Sequence, residues 1–284
     1  DIQTQLEWVN PTAIRAYLDD CREQLGERAN VLYQKLAELE KDLPGVKQNL
    51  AAGVTETNLN EARRLLALKR EIILANPLLD MDRILIARYK LGKRDRKAMG
   101  PSMGTSTANY NSLFSNARKG YDGELDILSN LRGDLQSTRI YKPTADVPIS
   151  DVQLHWDADR LLFSSLDSAR KWQIYEMNID GTGLHQKLKV PEPDLEFCDA
   201  NYLPDGKIVA TGNLGYNGVP CVHGDDVVAG LVSYDPATGK LRRLTFDQDG
   251  NWSPIVIPNG RIMYTRWEYT DLTHYFSRIV MHMN

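Results

Sequence analysis

The sequence predicts a mainly β chain in which an α-helical hairpin over residues 1–80 precedes about four blades of an incomplete β-propeller over 81–284. Three observations carry this. Apolar residues recur every three or four positions through the first 75 residues, then at every second position in short segments from Asp80 onward. One turn-and-strand grammar occurs three times, as WDADRLLFSS from Trp156, LPDGKIVATG from Leu203 and IPNGRIMYTR from Ile257. The basic residues that follow these turns, Arg160, Lys207 and Arg261, stand 47 and 54 apart, close to the ~40 to 50 residues of a propeller blade.

Asn10-Pro11 predicts the start of a helix, with an N-cap followed by proline at the first helical position. The stripe Ile14, Leu18, Cys21, Leu25, Leu32, Leu36, Leu39 and Leu43 extends it as one long helix, and Pro44-Gly45 is expected to stop it. A second helix is expected from Asn58, with Asn58 and Glu61 at capping-box spacing, an inner face of Leu59, Ala62, Leu65, Leu66, Ile72 and Ile73, and an end at Asn76-Pro77. Two such stripes joined by a short connection make an antiparallel hairpin used for packing or docking.

Strands follow at Arg83–Tyr89, Leu125–Leu128 and Thr138–Tyr141, with a long exposed insertion between the first two. Counting these as a divergent blade gives units at 82–145, 148–190, 194–246 and 247 to the end. Asp-Gly and Asn-Gly supply the positive φ of hairpin turns, and each antiparallel sheet must cover both faces with its neighbours. Because the last unit stops within its signature, the rest of the ring is expected from further residues or from another chain.

The charge balance, 34 basic against 38 acidic residues for a net −4, argues against nucleic acid as a partner. Lys90–Lys97 (KLGKRDRK) is the strongly basic run and reads as a solvated loop. No apolar run approaches the ~18 to 20 residues of a membrane span. Cys21, Cys198 and Cys221 are too few for a disulfide scaffold and include no CxxC or CxxCH. The polar start at Asp1 fits a processed secreted form or a cytosolic protein.

The strand signature [I/V]-Y-x-x-[D/N]-x-[D/T]-G resembles the TolB-type propeller repeats of bacterial envelope proteins. From Asn76 onward, NPLLDMDRILIARY, GYDGELDILSNLRGDL, HWDADRLLFSS, DGTGL, YLPDGKIVATG, GVPCVHG, RLTFDQDGNWSPIVIPNGR and RWEYTDLTHYFSRIVMHMN are similar, in the same order, to the middle region of proteins related to the hydrazine synthase alpha subunit. The resemblance implies a TolB-like propeller and a periplasmic or secreted location. Hydrazine synthase itself works on c-type haems, which need CxxCH; this chain has none, so the resemblance implies haem only in a segment beyond Asn284. The family's cysteines before YLPDG and before GVPC fall at Asn201 and Gly215 here, whereas Cys221 is kept and Cys198 stands nearby.

Two segments carry candidate site chemistry. Arg266, Trp267, Glu268, Tyr269, Asp271 and His274 combine a cation, aromatics, carboxylates and an imidazole after a strand, a composition suited to a sugar or peptide platform at a propeller mouth, and equally to structural use. Cys221, His223 and Asp225 are possible metal ligands, short of a full set; Cys198 and Cys221 could instead form a disulfide. His155, Asp157 and Asp159 stand at a turn position and read as turn chemistry. No GxSxG, P-loop, GxGxxG or HExxH occurs. The expected function is recognition or scaffolding, with a protein partner or glycan bound. The alternative is an envelope enzyme, haem-linked or polysaccharide-cleaving.

Overall fold

The computed structural model describes residues 1–89, 114, 118–219, 227–267 and 278–284. It divides into two units, Asp1–Ile84 with Leu128–Ser137, and Leu85–Ile127 with Thr138–Asn284. The first unit holds α1 (Ile2–Glu7), α2 (Pro11–Asp20), α3 (Arg22–Leu25), α4 (Arg28–Ala52), α5 (Glu56–Ile73) and a 3-10 turn at Pro77–Leu79. Asn10 caps α2 as its sequence predicts, accepting the Ala13 N–H at 3.1 Å with Pro11 at the first turn.

Three helical expectations are corrected. The single helix from Asn10 to Leu43 is divided, because the chain turns between α3 and α4 at Gly26, whose φ of 56° interrupts the helical backbone. Pro44 does not stop α4, which runs to Ala52. The apolar stripe continues past the proline through Val46 and Leu50, both buried with Leu36 and Leu39 in one core with Ala62, Leu65 and Ile72 of α5. Burying two such side chains contributes about 1.5 to 3 kcal/mol each. That offsets the ~3 kcal/mol cost of an interior proline. The second helix opens on Thr55, whose hydroxyl accepts the Asn58 N–H at 3.2 Å. Asn58 closes the α4–α5 turn instead, donating from its amide to the Asn49 and Gly53 carbonyls at 3.1 and 2.7 Å. The helical hairpin is therefore α4 and α5, with α1 and α2 packed on it.

The strands form four sheets. β1 (Arg83–Tyr89), β2 (Gly123–Ser129) and β3 (Gln136–Tyr141) make the first; β4 (Ser150–Leu154), β5 (Arg160–Leu166), β6 (Trp172–Asn178) and β7 (His185–Gln186) the second. β8 (Phe197–Tyr202), β9 (Ile208–Gly212), β10 (Gly230–Asp235) and β11 (Lys240–Arg243) make the third; β12 (Asn251–Val256), β13 (Ile262–Trp267) and β14 (Arg278–Met283) the fourth. Each is an uncrossed meander lying within one expected blade. The β8–β9 and β12–β13 turns place Gly206 and Gly260 at φ 81°, where their N–H groups donate to the Leu203 and Ile257 carbonyls at 3.0 and 2.9 Å. β8 lies between β4 and β12, so the first strands of three sheets stand side by side. Sheets cover one another: Leu162 and Ile174 meet Phe197 and Ala210, while Val209 and Leu231 meet Ile262 and Tyr264. The chain is mainly β, a propeller of radial antiparallel blades with a helical N-terminal part. Among the described residues, no helix is long and apolar enough to cross a membrane.

Candidate functional site

The first strands of the second, third and fourth sheets each break register once, at Ser150/Gln153, Cys198/Asn201 and Trp252/Ile255. The extra residue in each bulge adopts the left-handed region: Asp151 at φ 50°, Asp199 at 54° and Ser253 at 55°. Such a conformation costs a non-glycine residue about 1 to 2 kcal/mol, and bulges of this kind re-aim a side chain. The three residues are 48 and 54 apart, in phase with the blade repeat.

The bulges join adjacent blades. The Asp199 N–H donates to Asp151 Oδ2 at 3.3 Å and stands 3.2 Å from Ser164 Oγ. The Ser253 N–H donates to Asp199 Oδ2 at 3.3 Å, and Thr211 Oγ1 donates to the same oxygen at 3.4 Å. Ser164 and Thr211 are wholly buried at matching places on β5 and β9, opposite Ser150 and Cys198. Asp151 and Asp199 are half-buried and face each other, and Ser253 is exposed. Burial holds the Asp151 carboxyl well above the usual carboxylate range, and the Asp199 charge raises it further. Burial raises Asp199 as well, while hydrogen bonds from Asp151 and Ser253 work against the shift. The two therefore ionise in sequence, with Asp151 keeping its proton longer. A protonated carboxyl beside an ionised one offers a donor and an acceptor together, which suits sugar hydroxyls, a peptide ammonium or guanidinium, or proton transfer.

Of the predicted platform, two residues are described. Arg266 pairs with Asp247, Nη1 to Oδ1 at 2.8 Å, and Trp267 is 3 % exposed in a core with Trp172 and Trp252. Both are built into the packing between sheets. Glu268, Tyr269, Asp271 and His274 lie outside the described residues, as do Cys221, His223, Asp225 and Lys90–Lys97. Cys198 is wholly buried in the same tryptophan core. Cys21 is half-buried on the helical unit, where Asn76 Nδ2 donates to its Sγ at 3.2 Å.

His155, Asp157 and Asp159 bring their ligand atoms within 4.8 Å of one another. Arg160 already engages two of the three: it donates to both Asp159 oxygens at 2.9 Å and faces His155 Nε2 at 2.5 Å. On the other side of the ring the Asp157 N–H donates to Nδ1 at 3.1 Å, and Asp157 Oδ2 lies 3.3 Å from the same nitrogen. The hairpin closes through the Ala158 N–H on the His155 carbonyl at 2.8 Å. Glu176, buried beside this turn, is satisfied by Lys187 at 2.7 Å and the Tyr202 hydroxyl at 3.1 Å.

Sequence reasoning missed Asp151, Asp199 and Ser253. A signal existed, since Asp151, Asp199 and Ser253, the last residues of ISD, FCD and NWS, stand five, four and four residues before the starts of the three turn motifs.

No family model matches the chain, and no curated protein is similar to it in sequence. Among solved structures it is similar to the hydrazine synthase of Kuenenia stuttgartiensis, at 16 % identity and a TM-score of 0.50, over 71 % of this chain and 30 % of that one. An oligogalacturonate lyase from Vibrio parahaemolyticus matches at 13 % identity and TM-score 0.41, over 68 % of this chain and 56 % of that one. TolB from Acinetobacter baumannii matches at 17 % and 0.39, over 57 % and 37 %. The chain thus spans less than a third of the hydrazine synthase chain, and at this identity the likeness shows the fold alone: a β-propeller.

Proposed function

We propose that this chain is the propeller of an extracytoplasmic recognition and scaffold protein related to the hydrazine synthase alpha subunit, binding a partner protein or a glycan at the inner ends of its blades. The observation that carries the reading is the polar row Asp151, Asp199 and Ser253, set on three neighbouring blades by three matching bulges. Conformational cost repeated at equivalent positions is a mark of functional surfaces. The relationship is supported by eight motifs shared in order and by the fold, and the location follows from that relationship.

The test is titration of the full chain against acidic and neutral oligosaccharides, with affinity capture from an envelope extract in parallel. Asp199→Asn is expected to weaken whichever ligand is found by about tenfold, the scale of one charged hydrogen bond, and the exposed Lys240→Ala to leave binding unchanged. Absence of any ligand, or full binding by Asp199→Asn, refutes it. A second reading, an envelope enzyme that cleaves polysaccharide, is supported by the facing carboxyls of Asp151 and Asp199 on adjacent blades, one able to give a proton and the other to take one. Release of new sugar ends, lost in Asp151→Asn, distinguishes it from recognition. A haem-linked role rests on the resemblance, and a Soret band from the native protein is its test.

A further inference from the structure

The helical unit carries an open groove of about 1090 Å³ bordered by α1, α5 and the segment Leu128–Leu135. Its floor is the second face of α5. Ala62, Leu65 and Ile72 point into the core with α4, whereas Leu59, Leu66 and Ile73 line the groove. From Leu59 to Ile73 this second stripe rises about 21 Å, the length of four helical turns. Leu131 and Leu135 form the opposite wall, which Arg70 fixes by donating Nε and Nη2 to the Leu131 carbonyl at 3.2 and 2.6 Å. Trp8 stands on the rim 79 % exposed and Leu135 is 51 % exposed. Exposed apolar side chains gathered in a groove, unlike scattered ones, mark an interaction surface.

The charges of this groove single out its occupant. Arg63, Lys69 and Arg70 line it against one acid, Asp1, whose carboxylate already accepts the Gln3 and Thr4 N–H groups at 2.7 and 3.3 Å. Arg63 has a neighbour in Glu56 at 2.9 Å, a pair more than half exposed and therefore weak. A cationic rim on a chain of net charge −4 is a local reversal of sign. Side chains spaced three and four apart along α5 form ridges that take another helix, whose own ridges interdigitate with them.

We propose that this groove docks an acidic amphipathic helix of a partner protein, about four turns long, with its apolar stripe on Leu66 and Ile73 and its carboxylates on Arg63 and Lys69. This surface is separate from the inner ends of the blades and stands whether or not those bind a ligand.

The experiment titrates the full chain into a dansyl-labelled, side-chain-stapled peptide of about 16 residues, long enough to cover the stripe, with leucine on one face and glutamate on the other. Controls are the same peptide with lysine for glutamate, a scrambled peptide, and phosphatidylglycerol vesicles. The glutamate peptide is expected to bind saturably and the lysine peptide at least about tenfold more weakly, as complementary charge sets specificity. Arg63→Glu with Lys69→Glu is expected to reverse that order, and Leu135→Glu to weaken the glutamate peptide about tenfold or more. All three positions are at least partly exposed, and a circular-dichroism spectrum equal to that of the parent verifies folding. Equal binding of the scrambled peptide, or full binding by Leu135→Glu, overturns the proposal. So does vesicle binding without peptide binding, which assigns the groove to a lipid surface. Dimerisation in sedimentation that Leu135→Glu abolishes overturns it too, assigning the groove to a second copy.

Discussion

Asp151→Asn isolates the proton held between two blades. Asp151 has its carboxyl raised by burial and by Asp199, so between the unfolded carboxyl value near 4 and the folded value the native chain binds one more proton than the unfolded chain. Stability from this group is complete below that unfolded value and is lost as pH rises through the folded one. One excess proton corresponds to about 1.4 kcal/mol per pH unit across the interval. Asparagine removes the titration and keeps the shape, with an amide donor toward Asp199 and an oxygen to accept the Asp199 N–H now 3.3 Å from Oδ2. Urea unfolding of both proteins from pH 4 to 8 provides the measurement. Tryptophan fluorescence reports the propeller, since Trp172, Trp252 and Trp267 are buried there. Subtracting the curves cancels every titrating group not coupled to Asp151 and leaves the Asp151–Asp199 pair. The variant is expected to match the parent near pH 4 and to gain on it as pH rises, at up to that slope. Parallel curves across the range would show that Asp151 carries no excess proton and would sink the account of the pair.

Two further predictions concern the frame. Pro44→Ala restores an N–H inside α4 and is expected to stabilise the helical unit by about 1 to 3 kcal/mol, read from ellipticity at 222 nm during urea unfolding; an unchanged midpoint refutes that cost of the interior proline. Gly181 has φ 86°, and a Cβ there would lie 2.2 Å from the Ile140 carbonyl oxygen, so Gly181→Ala is expected to lower stability by more than about 1 kcal/mol, and a neutral result would refute that approach between the first two sheets.

Blade boundaries were legible because hairpin turns are local. Gly206 and Gly260 adopt positive φ whatever surrounds them, and their spacing alone divides the chain into sheets. The course of α4 was less legible, since whether Pro44 ends a helix depends on what Val46 and Leu50 find to pack against, and the partner is α5. The bulges at Asp151, Asp199 and Ser253 escaped a two-residue period because a bulge is a mismatch between paired strands. Arg266 and Trp267 have a composition that serves ligand contact and core equally, and 3 % exposure for Trp267 distinguishes the two where spacing does not.

Two of the three bulges carry a carboxyl that accepts the N–H of the next bulge along the chain, Asp151 from Asp199 and Asp199 from Ser253. The middle repeat thus brings one half of a latch for its predecessor and one half for its successor. A gene segment copied in tandem would inherit both halves together, so a ring of this kind can grow by duplication without a new seam having to be evolved each time.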